Sequence, residues 1–125
     1  MISASALCLG VTLFKEARGE PLATQIAVAH VVMKRREEMQ TTVCKVIKQP
    51  RQFSWVRHGQ IKAHPQTQAE QQALDKAFVI AKRVLFKQLR SNKLRGKYLF
   101  FNNARMGKRY KTHQPPVKIG RLIFY

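Results

Sequence analysis

The chain has 125 residues, 45% of them apolar and 24% charged, which is the size and balance of one globular domain with one buried core. Its 24 Lys and Arg against six Asp and Glu leave a formal charge of +18, which excludes an acidic surface and points to polyanionic partners: nucleic acid, anionic lipid or the acidic polymers of a bacterial envelope. The four histidines lack ligand spacing, so no metal site and no cofactor is expected.

In chain order, Ala4 to Phe14 is uncharged and largely apolar, and it predicts a buried helix too short to cross a bilayer. Cys8 and Cys44 lie in apolar surroundings and read as buried free thiols rather than as a disulfide. No basic residue precedes Lys15, so the n-region of a classical secretory signal is missing. The expectation is a protein made in the cytoplasm, with no stable membrane insertion, that works there or is released by another route.

Gly19 suits a helix end and Pro21 the first turn of the next helix, which puts Glu16 in the last turn of the first. The helix dipole and apolar neighbours there disfavour the ionised carboxylate, so Glu16 is expected to stay protonated to higher pH than a free acid. Lys15 and Arg18 oppose this if they pack close. A carboxylic acid protonated near neutrality can donate to a leaving oxygen. Spacing alone favours reading Glu16 and Glu20 as ordinary helix-end charges.

The second helix is expected from Pro21 to about Glu38. Its run Ile26 to Met33 is apolar nearly all round, as in a helix enclosed by others, and Lys34-Arg35-Arg36 returns its end to water. His30 within it reads as a hydrogen-bonded core histidine. Thr41 or Thr42 caps a short third helix, Val43 to Ile47, with Val43, Val46 and Ile47 as its buried side. Gln52-Phe53-Ser54-Trp55-Val56 follows as an extended segment or turn. Its rings and polar side chains suit sugar faces and hydroxyls, and suit a protein core equally well; on these residues alone Phe53 and Trp55 read as core.

Residues 57 to 66 read as a loop. Thr67 and Glu70 form a capping box, and Leu74, Ala77, Phe78, Ala81, Val84, Leu85 and Leu89 recur at helical spacing opposite Lys76, Lys82, Arg83, Lys87 and Arg90. Tyr98 to Phe101 and Leu122 to Tyr125 are β-prone, which predicts two strands joined by a long basic loop, Asn102 to Lys118. Arg105, Lys108, Arg109 and Lys111 surround Tyr110 in that loop, a pattern that also suits single-stranded nucleic acid.

Glu16-Ala17-Arg18-Gly19-Glu20-Pro21, Gln25 to Val32, Thr42-Val43-Cys44 and Gln49-Pro50-Arg51-Gln52-Phe53-Ser54-Trp55 together resemble the bacterial and phage cell-wall hydrolases typified by spore-cortex-lytic enzymes. Phe100 to Asn103 and Ile119-Gly120 through Tyr125 echo the closing motifs of that family. The resemblance implies a single catalytic domain over residues 1–125, an α+β fold that is mainly helical and lysozyme-like, with a small carboxy-terminal β element. It also implies a glycosidase that cleaves the β-1,4 bond between N-acetylmuramic acid and N-acetylglucosamine, as a lytic transglycosylase or else a muramidase. The catalytic glutamate of the family falls on Glu16. Glu20 matches the second glutamate, as a supporting residue and the only candidate second carboxyl group. Gln52, Phe53 and Ser54, with Trp55, Phe101, Asn102 and Tyr110, are placed along the substrate. Thr24, Lys34, Asn102 and Leu122 depart from the glycine, asparagine and two histidines common in the family, so no histidine role is expected in the closing blocks.

The implied partners are peptidoglycan glycan strands and anionic envelope polymers, met by a monomer at the bacterial wall or periplasm, with a phage endolysin as one expected source. The rival expectations are a cationic nucleic-acid-binding protein, for which no recognised motif appears, and an inactive structural or virion protein of the same fold.

Overall fold

The computed structural model describes residues 2–50 and 52–125; Arg51 of the Gln-Pro-Arg-Gln motif lies outside them. Four helices come first: α1 (Ala4–Ala17), α2 (Leu22–Met39), α3 (Val43–Ile47) and α4 (Gln68–Leu85). Three short strands follow, β1 (Phe101–Asn103), β2 (Val117–Ile119) and β3 (Leu122–Phe124), and the chain is a mainly helical α+β protein.

Local chemistry sets the helix ends. The Ser3 hydroxyl accepts the Ala6 N–H at the start of α1, and Gly19, at φ +81°, turns the chain beyond its end. Pro21 opens α2, and the Thr42 hydroxyl accepts the Lys45 N–H to start α3. Thr67 accepts the Glu70 N–H to start α4, while the Glu70 carboxylate, instead of returning to the Thr67 N–H, takes Arg18 of the α1 end at 3.2 Å. The helical pattern continues to Leu89, but α4 ends at Leu85. Lys87 adopts φ +59°, and the Gln88 and Leu89 N–H groups both fold back on the Arg83 carbonyl.

The core lies where α1, the inner face of α2, α3 and α4 meet. Leu9, Leu13, Ala27, Val28, Val32, Ile47 and Ala81 are all but completely buried there. Cys8 and Cys44 are joined as a disulfide, which corrects the free-thiol expectation. The reason is tertiary: α1 packs on α3 and brings the two Cα atoms to 5.4 Å, within disulfide reach.

The sheet has the order β1-β3-β2, antiparallel throughout. Phe101 faces Phe124 across one ladder and Val117 faces the same residue across the other. The middle strand was expected; β2 was not, and it occupies the end of the expected basic loop. Ile119 and Leu122 close a tight hairpin around Gly120, whose φ of +60° an L side chain rarely adopts. Leu99, Phe100 and Tyr125 extend the β1 side by backbone hydrogen bonds, so the β-prone run from Tyr98 is paired but only its end is regular strand.

Candidate active site

A cavity of about 280 Å³ opens where the end of α1, the side of α2 and the near face of the sheet converge. Glu16 stands at one side of it, in the last turn of α1, and among the described residues it is the one acid in the lining. Trp55, from the loop after α3, donates its indole N–H to Glu16 Oε1 at 3.3 Å. Burial pushes the Glu16 carboxyl above its ordinary range, and the Trp55 hydrogen bond, which favours the ionised form, offsets this only in part. The flanking cations do not intervene by pairing with it. Arg18 turns back over the Phe14 ring at 4.5 Å and pairs with Glu70, and Lys15 is exposed.

The expected site residues separate into two groups. Glu16, Gln52, Phe53, Phe101, Asn102 and Tyr110 line the one cavity. Trp55 reaches it through Glu16, whereas Ser54 is exposed and Glu20 is absent from the lining. A chain of tilted aromatic contacts links the loop to the sheet: Trp55 to Phe53 at 5.7 Å, Phe53 to Phe101 at 6.3 Å and Phe101 to Phe124 at 5.8 Å between ring centroids. Tyr110 stacks on Phe100 at 4.7 Å, nearly parallel, and forms the outer part of that wall.

Glu20 serves the frame. Its Oε1 accepts the Arg121 N–H of the β2–β3 turn at 3.2 Å, and its own carbonyl accepts the Gln25 side chain at 2.9 Å. A methyl group on Gly120 would come within 2.6 Å of Thr24 Oγ1 and 3.3 Å of Glu20 Oε2. The corner between α1 and α2 is therefore fastened to the hairpin that leads to Leu122, one of the apolar residues of the cavity.

Asn102 is held with its amide pointing one way. Nδ2 donates to the Asn103 and Gly107 carbonyls at 3.0 and 2.9 Å, and its buried Oδ1 has no partner among the described residues. Among the described residues Arg35 is the one basic residue of the lining, and the cationic end of α2 conceals it in the sequence. The signal was available, because Arg35 lies three and four residues beyond the buried Val32 and Val31 and so shares their face. His30 lies elsewhere, half-buried, with Nε2 at 3.4 Å from the Gly96 carbonyl. Burial pushes the ring below its usual range. Among the described residues no group of His, Cys, Asp and Glu is arranged to hold a metal ion, and no helix is long and apolar enough to cross a membrane.

The protein is thus mainly helical α+β, with a half-buried acid at the mouth of an aromatic-walled cavity. Residues 19–125 match the model of the cell wall hydrolases, and the chain belongs to that family. The matched span begins at Gly19, and so includes Glu20 and leaves Glu16 three residues outside. The chain is similar to the spore cortex-lytic enzyme of Oceanobacillus iheyensis, with 42% identity over 65 residues. That stretch covers 50% of this chain and 24% of the relative, so the similarity concerns about a quarter of that protein. No solved structure matches the chain.

Proposed function

We propose that the chain is a peptidoglycan glycosidase acting on the β-1,4 bond between N-acetylmuramic acid and N-acetylglucosamine, with Glu16 as its general acid and then its base. The observation that carries this is that, among the described residues, Glu16 is the one acid in the cavity, with burial holding its carboxyl in the protonated form to higher pH. The Glu16 proton passes to the glycosidic oxygen as the bond from the muramic C1 to that oxygen breaks. The aromatic wall of Phe53, Phe101 and Tyr110 receives sugar faces, and Gln52 and Asn102 present polar groups to hydroxyls or acetamido groups.

A two-carboxylate mechanism needs a second acid across the bond. Glu20 is occupied at the β2–β3 turn, which favours the one-carboxyl route of a lytic transglycosylase. There the muramic C6 hydroxyl attacks C1, its proton returns to Glu16, and a 1,6-anhydro end forms. Attack by water instead would make the protein a muramidase. Mass spectrometry of the released fragments tests this, because the two ends differ by one water. Anhydro ends are expected, and reducing ends alone would overturn the transglycosylase reading. The stacking of Tyr110 on Phe100, at the cavity, argues against its standing free to receive a nucleic-acid base.

A further inference from the structure

Arg35 lies at the cavity with its charge uncompensated. Its guanidinium donates to the side-chain oxygens of Gln49 and Gln52 and to the Leu99 carbonyl, and it sits 5.5 Å over the Phe100 ring. All three acceptors are neutral. Among the described residues no carboxylate oxygen lies within 4.0 Å of it, and the five N–H groups of the fork outnumber the three bonds they make. Pinning two amides and a carbonyl does not require a full charge, and burial disfavours the free cation, pushing its pKa below the usual range. An incoming anion would relieve that cost and match the planar fork.

We infer that Arg35 is the receptor for a carboxylate carried by the muramic substituent of the substrate, and that it sets the preference of the cavity for acidic over neutral glycan. This rests on the glycan-binding reading above and names the substrate class more closely. Two sources supply such a carboxylate: the lactyl ether of strands without peptide, and the α-carboxylates of an attached peptide. If the lactyl ether is the source, an amide-hydrolysing reaction that strips the peptide must act before this one.

Binding is read without turnover by titrating the fluorescence of Trp55, the one tryptophan in the chain, in a Glu16→Gln background. The probes are peptide-free glycan strands and peptide-bearing fragments, each compared with the same material after carbodiimide and ammonia have converted its carboxylates to amides. With Arg35 present, amidation is expected to weaken binding about tenfold, the scale of one charge-assisted hydrogen bond. Arg35→Gln should bind acidic and amidated forms equally, near the amidated level, and Arg35→Lys should keep part of the preference. Lys82→Gln, which removes one exposed charge from α4, should keep all of it. A preference confined to the peptide-free pair assigns the carboxylate to the lactyl ether, and one confined to the peptide-bearing pair assigns it to the peptide. No preference in either pair overturns the inference, as does an Arg35→Gln variant that weakens both forms equally, which is the behaviour of a structural pin. Because no catalysis is measured, failure here is distinct from failure of the glycosidase reading.

Discussion

The Trp55 indole N–H reaches Glu16 Oε1 across 3.3 Å and ties the loop after α3 to the last turn of α1. The acid therefore has one polar contact that favours its ionised form, within surroundings that favour the protonated one. Trp55→Phe keeps the ring and removes the donor. The carboxyl should then hold its proton to still higher pH, so the alkaline limb of the pH–rate profile for peptidoglycan lysis should move upward. A limb that stays in place or moves downward would show that the contact does not tune the acid.

The same raised carboxyl has a consequence for stability. In the folded state Glu16 keeps its proton above the pH at which the unfolded chain loses it, so the folded state binds more protons in that window and stability falls as pH rises through it. Glu16→Gln removes the titration and keeps an oxygen for Trp55. Thermal denaturation should find the variant close to wild type below about pH 4, with a lead that grows toward neutrality. A difference independent of pH would contradict the shift.

Glu20 is expected to act through the frame. Glu20→Gln retains an oxygen for the Arg121 N–H, so it should reduce kcat by less than about tenfold and leave both limbs of the pH profile in place, the mark of a lost support rather than a lost acid or base. Loss of a pH limb in this variant would give Glu20 a chemical role.

The Cys8–Cys44 bridge closes a loop of 36 residues between α1 and α3. On the chain-entropy account its removal costs about 3–4 kcal/mol, a large share of the stability of a domain this size. Reductant, or Cys8→Ser with Cys44→Ser, should lower the urea midpoint accordingly. An unchanged midpoint would mean that the packing of α1 on α3 suffices without it.

Much of the helical part was legible because its boundaries are written in local chemistry. Gly19 and Pro21 separate α1 from α2, Thr42 opens α3 and Thr67 opens α4, each through a backbone angle or a single hydrogen bond between near neighbours. What escaped depends on distant partners. The disulfide requires α1 and α3 to pack side by side, which no spacing between Cys8 and Cys44 reveals. Val117-Lys118-Ile119 follows two prolines and is a strand only because Leu122 to Phe124 folds back on it. The apolar repeat of α4 runs on to Leu89, yet the backbone at Lys87 leaves the helix before it. Within the cavity, Gln52, Phe53, Phe101, Asn102 and Tyr110 converge from segments up to 58 positions apart, and Arg35 was hidden in a cationic helix end that reads as solvated.

The formal +18 charge should add a second, less specific attachment to anionic wall polymers. Retention on purified walls should fall as salt rises and the Debye length shrinks from about 10 Å at 0.1 M toward about 3 Å at 1 M. Equal retention at both ionic strengths would remove long-range charge from the account.

The central claim is that Glu16 delivers the proton that breaks the glycan. Turbidity loss of purified peptidoglycan, measured side by side for wild type and Glu16→Gln with matched circular dichroism, tests it most directly. Lysis by wild type that falls by about 10²–10⁴-fold in the variant is the result predicted. Lysis by the two proteins within a few-fold of each other would contradict it.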